Sequence, residues 1–142
     1  MSTFSTSREI RATVEQVFAA ISRPERLARW WGPAGFTNTF NVCEFRNGGR
    51  WSLVMHGPDG RNYPNENAFA HVEAPHKVVV RNVKYRLTIS LAPSAAGTLV
   101  SWAQAFDNPE VASRLEHVVV PANEQNLDRL CAEVLREPDG GG

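Results

Sequence analysis

The sequence predicts an α+β domain in which a curved antiparallel sheet wraps around one long C-terminal helix. Three observations predict this fold class. Short segments rich in β-branched and aromatic residues recur over residues 36–106 and are separated by turn residues. Two short amphipathic segments precede that region, and a long segment with one apolar stripe follows it. A sheet flanked by helices in this order buries one of its faces under the helices.

Length and charge limit the organisation of the chain and its partners. The 142 residues match the usual size of one domain, and the hydrophobic fraction of 42% is enough for one core. We expect a single domain over residues 1–136 and a disordered, glycine-rich tail over residues 137–142. Basic and acidic residues number 15 each, so no net field attracts nucleic acid or an acidic membrane surface. We therefore expect no nucleic-acid partner.

The lack of a targeting signal and the cysteine usage predict a cytoplasmic protein. The N-terminal residues lack a basic segment followed by an apolar run, and no segment approaches the roughly 20 apolar residues of a membrane span. Cys43 and Cys131 are far apart in the sequence and have apolar neighbours. This favours reduced core thiols over a disulfide framework or a metal knuckle.

Two helix start signals follow the first predicted strand, which covers about residues 3–10 and is expected at a sheet edge. The segment Thr13-Val14-Glu15-Gln16 has the pattern of a capping box, in which the side chains of residues 13 and 16 each accept from the other's backbone amide. Ser22-Arg23-Pro24-Glu25 repeats the signal, so a second short helix is expected to end near Trp31-Gly32-Pro33. The expected buried face of the first helix consists of Val14, Val17, Phe18 and Ile21.

A meander of six further strands is predicted from alternating runs and turn residues. The turns are marked by Asn47-Gly48, Pro58-Asp59-Gly60, Ala74-Pro75 and Ala96-Gly97. The strands are expected near residues 37–46, 50–57, 62–73, 76–82, 85–92 and 98–106.

The last element is predicted to be a helix that opens at Asp107-Asn108-Pro109-Glu110 and reaches about Leu135. Its apolar stripe consists of Leu115, Val119, Leu127, Leu130 and Val134. Because Pro121 removes one backbone hydrogen bond and clashes with the preceding turn, we expect a kink or a break between about residues 117 and 121.

Several local motifs resemble one known family. They are Arg8-Glu9-Ile10, Val17-Phe18, Trp30-Trp31-Gly32-Pro33, Gly48-Gly49-Arg50-Trp51, Met55-His56-Gly57-Pro58-Asp59-Gly60, Tyr63-Pro64-Asn65-Glu66 and Leu127-Asp128-Arg129-Leu130. They cover nearly the whole chain and resemble the family of the activator of the heat-shock-protein-90 ATPase, within the SRPBCC or START-like superfamily. The resemblance implies a helix-grip fold with a cavity between sheet and helix. It does not imply one reaction, because one fold carries many activities.

The resemblance and the strand alternation together suggest ligand-binding residues. Alternation places Trp51, Leu53 and Met55 on one face of their strand, which is the expected concave face. Such side chains suit either a pocket for an apolar ligand or ordinary core packing, and both interpretations stay open. The candidate ligand-binding residues are Trp30, Trp31, Trp51, Leu53, Met55, Phe69, Trp102, Asn123 and Leu127.

Two of these positions have specific alternatives. One of Trp30 and Trp31 is expected to pack inward, and Gly32-Pro33-Ala34-Gly35 forms either a movable lip or a rigid turn. Asn123 interrupts the apolar stripe of the last helix. Its amide either binds a ligand or satisfies the carbonyl that Pro121 leaves free, and the second role requires fewer assumptions.

Acid–base residues are concentrated on neighbouring strands, at His56, Tyr63, Asn65, Glu66 and His71. The catalytic residues are not identified by sequence, and Glu66, Tyr63 and His56 are the candidates. A carboxylate on the concave face would have a raised pKa and act as a general base, whereas an outward Glu66 would be solvated. The four histidines have no ligand spacing, and no phosphate loop or nucleophile elbow is present, so we predict no metal and no cofactor.

Three functions follow from these observations. The first is binding of a small apolar or amphipathic molecule without a reaction. The second is an enzyme of the cyclase or dehydratase type, which requires an inward ionisable group. The third is a chaperone partner, which ranks last because chaperone stimulation in that family involves an additional N-terminal domain, and this chain begins directly at the helix-grip domain. A monomer and a homodimer are both compatible with the sequence.

Overall fold

A computed structural model describes residues 2–136 as one antiparallel sheet with three helices, which confirms the predicted fold class. The elements are β1 (Thr3–Ile10), α1 (Val14–Ser22), α2 (Pro24–Trp30), β2 (Thr37–Cys43), β3 (Arg50–His56), β4 (Asn62–Glu73), β5 (Lys77–Arg81), β6 (Tyr85–Ser94), β7 (Gly97–Phe106) and α3 (Pro109–Leu135). The tail expected over residues 137–142 lies outside the described residues. No helix of the described part is long and apolar enough to cross a membrane.

The sheet has seven strands in the order β1-β7-β6-β5-β4-β3-β2, and each neighbouring pair is antiparallel. As predicted, β1 is an edge strand, and it pairs with β7 from Thr3 to Ile10. The strand β2 ends at Cys43 rather than near residue 46, because residues 44–49 form the turn into β3. Gly48 has a φ of 76° in that turn. A side chain at Gly49 would collide with the Glu44 carbonyl oxygen, so glycine is required there.

The helix caps show which start signals operate. Thr13 forms the predicted capping box, since its hydroxyl accepts from the Gln16 amide at 3.1 Å and its amide donates to Gln16 Oε1 at 2.8 Å. The second signal is only partly confirmed. Pro24 opens α2, but Ser22 is the last residue of α1, and the N-cap is Arg23 without a side-chain hydrogen bond. The close succession of the two helices leaves no free residue for a serine cap.

The helix α3 continues through Pro121, so of the kink or break expected there, the break does not occur. Pro121 is exposed, and the His117 carbonyl that loses its amide partner belongs to an exposed residue. Water is therefore available to that carbonyl, and one lost bond does not end the helix. Asn108 caps the helix by accepting from the Glu110 and Val111 amides at 2.9 and 3.4 Å.

The core is centred on aromatic side chains between the sheet and the helices. The four tryptophans form one connected cluster, in which Trp31 lies 4.6 Å from Trp51 and 6.3 Å from Trp102 between ring centroids. Trp30 contacts both Trp31 and Trp102, and its indole donates to the Ala20 carbonyl at 2.9 Å. Cys43 and Cys131 are unpaired thiols that pack against this core, as predicted.

A buried carboxylate joins α3 to α2. Glu133 is only 5% exposed, and its two oxygens accept from Arg29 at 2.8 and 2.9 Å and from Arg26 at 2.9 Å. The two parallel bonds from Arg29 fix the geometry of the pair. Burial alone would raise the pKa of Glu133, but the hydrogen bonds from Arg29 and Arg26 hold the pKa below its ordinary value.

Replacing Glu133 by Gln is expected to lower the free energy of unfolding by about 1–3 kcal/mol at pH 7, because charge-assisted hydrogen bonds are replaced by weaker ones. Urea unfolding followed by circular dichroism measures the change. Glu116→Gln on the exposed face of the same helix is the matched control and should stay within about 0.5 kcal/mol of wild type. Equal effects of the two substitutions would contradict the structural role of Glu133.

The hydrogen bonds of Glu133 with Arg29 and Arg26 also predict how the free energy of unfolding changes with pH. A carboxyl group whose pKa is lowered by folding stabilises the protein above its unfolded pKa, which is ordinarily 4.5 for this group. That contribution is lost as the pH falls below this value and through the lowered pKa of the folded state. The stability difference between wild type and Glu133→Gln should therefore be constant from pH 7 to about 5 and shrink below about 4.5. A difference that grows on acidification would contradict the assignment.

Candidate ligand cavity

A cavity of about 140 Å³ lies between the sheet and the middle of α3. It forms there because the N-terminal half of α3 buries only Ala112, whereas the C-terminal half packs Leu127 and Leu130 against the core. The lining residues come from the segment after α2, from four strands and from α3. They are Trp31, Gly32, Pro33, Met55, Asn65, Tyr85, Leu87, Trp102, Gln104, Val118, Val119, Ala122, Asn123 and Asn126.

The apolar part of the lining comes from both sides of the cavity. Trp102 and Leu87 are almost fully buried on the sheet, and Met55 packs beside the Gly32 backbone. Val119 and Ala122 close the opposite side from α3. These aromatic and aliphatic side chains can pack against an apolar ring of a ligand. An engineered apolar cavity of similar size, about 150 Å³, admits benzene.

The polar part of the lining is carboxamide and carries no charge. It consists of Asn65, Gln104, Asn123 and Asn126 together with the phenol of Tyr85. Within the described part of the chain, no carboxylate, imidazole, thiol or cationic side chain lines the cavity. Desolvation raises the pKa of the Tyr85 phenol, so that group is neutral at physiological pH.

Two polar atoms of the lining residues are buried without a hydrogen-bond partner. They are the carbonyl oxygen Oε1 of Gln104 and the indole nitrogen Nε1 of Trp102. Gln104 is 9% exposed and Trp102 is 2% exposed. Leaving such groups unpaired costs about 1–3 kcal/mol each. Both residues line the cavity, so a polar molecule bound there is one way to pair these atoms.

Arg129 holds one rim of the cavity in place. Its Nη1 donates to the carbonyls of Trp31, Gly32 and Pro33 at 3.2, 2.8 and 2.8 Å. Its Nη2 donates to Arg29 and Phe36, and the Gly32 amide donates to Asn126 Oδ1 at 3.0 Å. Gly32 has a φ of 96°, which only glycine adopts readily. These contacts favour the rigid turn over the movable lip.

The residues that the sequence suggested for ligand binding divide into two groups. Trp31, Met55, Trp102 and Asn123 line the cavity. The others pack in the surrounding core, and they are Trp30, Trp51, Leu53, Phe69 and Leu127. Trp51 and Leu53 of β3 pack in the core at 1% and 0% exposure, although Ser52 between them is also only 5% exposed. Both Trp30 and Trp31 pack inward, at 1% and 5% exposure, where only one of them was expected to.

The three catalytic candidates do not lie in the cavity. Glu66 is on the convex face, where it accepts from Ser52, lies 3.5 Å from Arg50 and has a side chain 65% exposed. His56 is on the same face between Thr39 and Asn62, each 2.7 Å away. Tyr63 donates to Asp59 at 2.6 Å and is 40% exposed.

Among the polar residues that the sequence places close together on neighbouring strands, only Asn65 lines the cavity. His71 is exposed and lies 3.8 Å from Glu73. The strand β4 thus separates its polar side chains, with Asn65 turned to the helix and Glu66 turned to solvent.

Gln104, Asn126 and Tyr85 also line the cavity, and the sequence patterns did not point to them. A signal for Gln104 is nevertheless present, because it follows Trp102 by two residues and therefore faces the core from an alternating strand. Asn126 lies three residues after Asn123, which places both on one face of α3. Among the described residues, the Asn123 side chain makes no hydrogen bond, so it does not satisfy the His117 carbonyl.

A second concavity is larger but has charged walls. It measures about 660 Å³ between α1, α2 and the end of α3, and four arginines and two glutamates line it. Two of those arginines, Arg26 and Arg29, bind Glu133. Such a polar surface groove does not enclose an apolar molecule, so the cavity beside Gln104 is the stronger candidate site.

Comparison with solved structures shows the same fold in several bacteria. A protein of Nitrosomonas europaea superposes with a TM-score of 0.87 at 20% identity, and the match covers 95% of each chain. A protein of Arthrobacter aurescens superposes with a TM-score of 0.86 at 26% identity, and the match covers 99% of this chain and 90% of that one. The AHSA1 protein of Silicibacter pomeroyi gives 0.77 at 23% identity over 96% and 99%.

The sequence itself matches a family over most of its length. No curated protein matches the chain. The family described as activator of Hsp90 ATPase homolog 1-like protein matches residues 11–134, which span every helix and all strands except β1. The expected resemblance is confirmed, and the chain belongs to the family of activator of Hsp90 ATPase homolog 1-like proteins.

Proposed function

We propose that this domain binds a small amphipathic molecule in the cavity between the sheet and α3, without transforming it. The observation behind the proposal is the buried carboxamide of Gln104, which has no hydrogen-bond partner among the described residues, in a cavity whose other walls are largely apolar. A bound molecule with an apolar ring and a polar group would fill the space and satisfy that carboxamide.

Binding is favoured over catalysis by the chemistry of the lining. Acid–base reactions need a group that gains or loses a proton near neutral pH. Glu66 and His56 lie on the opposite face of the sheet, and burial moves the phenol of Tyr85 further from neutral titration. A cyclase or dehydratase mechanism therefore has no proton-transfer group in place among the described residues.

Binding is also favoured over a chaperone contact. A docking surface on the convex face would need a contiguous apolar patch. Among the large apolar side chains exposed in the described part of the chain, only Leu99 lies on the outer face of the sheet. Val83, Val118 and Val120 lie in a loop and on α3 instead.

Filling the cavity tests the proposal. Ala122→Phe places a ring inside the cavity and is expected to abolish ligand retention, because the available volume is about that of one small ring. The protein is incubated with a pool of apolar and amphipathic metabolites and examined by native mass spectrometry. Ala132→Phe makes the same change on the exposed face of α3 and should retain ligand like wild type.

Retention by Ala122→Phe equal to that of wild type, with both variants folded by circular dichroism, would contradict the location of the site. Absence of any retained ligand on wild type would contradict the proposed function itself. A retained molecule whose mass differs from the compound added would favour the enzyme alternative.

A further inference from the structure

We infer that the cavity is built for a neutral, single-ring molecule that carries an amide group, either as a lactam or as a carboxamide. This inference rests on the proposed function, because it names the chemical class of the ligand. It follows from the direction in which the carboxamides of the site are fixed, from the absence of charge in the lining and from the cavity volume.

A relay of three asparagines fixes the orientation of Asn65. The Asn82 oxygen accepts from the backbone amides of Lys84 and Tyr85 at 2.9 and 3.0 Å. A backbone N–H can only donate, so the Asn82 side-chain nitrogen must point the other way. That nitrogen donates to the Asn67 oxygen at 3.1 Å, and the Asn67 nitrogen donates to the Asn65 oxygen at 2.5 Å.

The relay therefore ends in a donor at the cavity. Because the Asn65 oxygen faces Asn67, the Asn65 NH₂ points away from the relay and is the end without a partner among the described residues. Each bond in such a chain polarises the next, so the terminal NH₂ is a stronger donor than an isolated amide. The described residues provide no acceptor for it.

A backbone amide also fixes the orientation of the Asn126 carboxamide. Its oxygen accepts from the Gly32 amide at 3.0 Å, again a group that only donates. Its NH₂ is consequently the free end, and Asn126 lines the cavity. Two independent backbone contacts thus orient two amide donors among the lining residues.

Gln104 can supply the opposite polarity. Neither end of its carboxamide is hydrogen-bonded among the described residues, so it can turn its oxygen to a ligand, while the donors of the lining include the NH₂ groups of Asn65 and Asn126 and the unpaired Nε1 of Trp102. An amide ligand offers the complement, because its C=O accepts from NH₂ or indole groups and its N–H donates to Gln104. A purely apolar ring would leave all of these groups unpaired.

Charge and size narrow the class further. A carboxylate or ammonium buried without a counter-ion is strongly disfavoured, and the lining has no ionised side chain. The Nη1 and Nη2 groups of Arg129 already donate to backbone carbonyls of the rim. A volume of about 140 Å³ accommodates one six-membered ring with a small substituent.

Three probes of one ring size test the inference on the full chain: benzamide, toluene and benzoate. Dissociation constants are measured by saturation-transfer difference NMR. Benzamide is expected to bind at least about tenfold more tightly than either of the others, since one or two good hydrogen bonds separate the probes. Toluene binding within about twofold of benzamide, or tighter binding of benzoate, would overturn the amide assignment.

Gln104→Leu removes the acceptor while keeping a similar side-chain size. It should raise the dissociation constant of benzamide about tenfold and leave that of toluene unchanged or lower. Glu116→Leu, a similar polar-to-leucine change on the exposed face of α3, should alter neither constant. An equal loss of both ligands in Gln104→Leu would indicate a collapsed cavity and overturn the polar role of this residue.

Asn82→Asp tests the relay at a residue that does not line the cavity, although the Asn82 side chain also hydrogen-bonds the phenol of Tyr85, which does line it. An aspartate keeps an oxygen for the Lys84 and Tyr85 amides but has no NH₂ to give Asn67. Asn67 and Asn65 are then expected to turn over, which presents an oxygen to the cavity and weakens benzamide about tenfold. Unchanged benzamide binding would contradict the relay.

The outcomes separate this inference from the proposed function. If the metabolite pool yields a retained ligand but benzamide does not bind, the cavity binds molecules and the amide class is wrong. If neither is retained, both proposals fail.

Discussion

The packing of one helix against a strongly curved sheet is the constraint on which the rest of this structure depends. A single straight helix cannot contact the curved sheet along its whole length. Other side chains must therefore fill one end of the space between the helix and the sheet. Here the tryptophan cluster, with Trp31 at its centre, fills that end, and Leu127 and Leu130 of α3 pack against the same core. The end near Val118 stays open, and the cavity is the space that remains.

The same constraint explains why the cavity is polar without being charged. Its walls include Tyr85 at the start of β6 and the rim after α2, where the backbone amides of Tyr85 and Gly32 donate to the side-chain oxygens of Asn82 and Asn126. Asn126 lines the cavity directly, whereas Asn82 acts on the lining through Asn67 and Asn65. Ionic groups are placed elsewhere: Glu133 joins α2 to α3, and Arg8 joins β1 to α3 through Glu124 and Asp128.

Local patterns predicted the elements well, because alternation, caps and turn residues act over a few positions. The capping box at Thr13 and the inward side of Trp51 are examples. Of the kink or break expected at Pro121, the break does not occur because solvent exposure, which no local pattern reports, decides the cost of a missing amide. The relay from Asn82 to Asn65 joins residues from a loop and a separate strand, so only the folded register reveals it.

The most direct test of the account is a ¹H–¹⁵N spectrum of the four indole N–H groups during addition of benzamide. The Trp102 indole has no acceptor in the structure, whereas the Trp30 indole donates to the Ala20 carbonyl. The account predicts a saturable shift of the Trp102 signal while the Trp30 signal stays in place, with assignments from single Trp→Phe variants. A Trp102 signal that does not move at saturating benzamide, or equal small drifts of all four signals, would contradict an occupied cavity at Gln104.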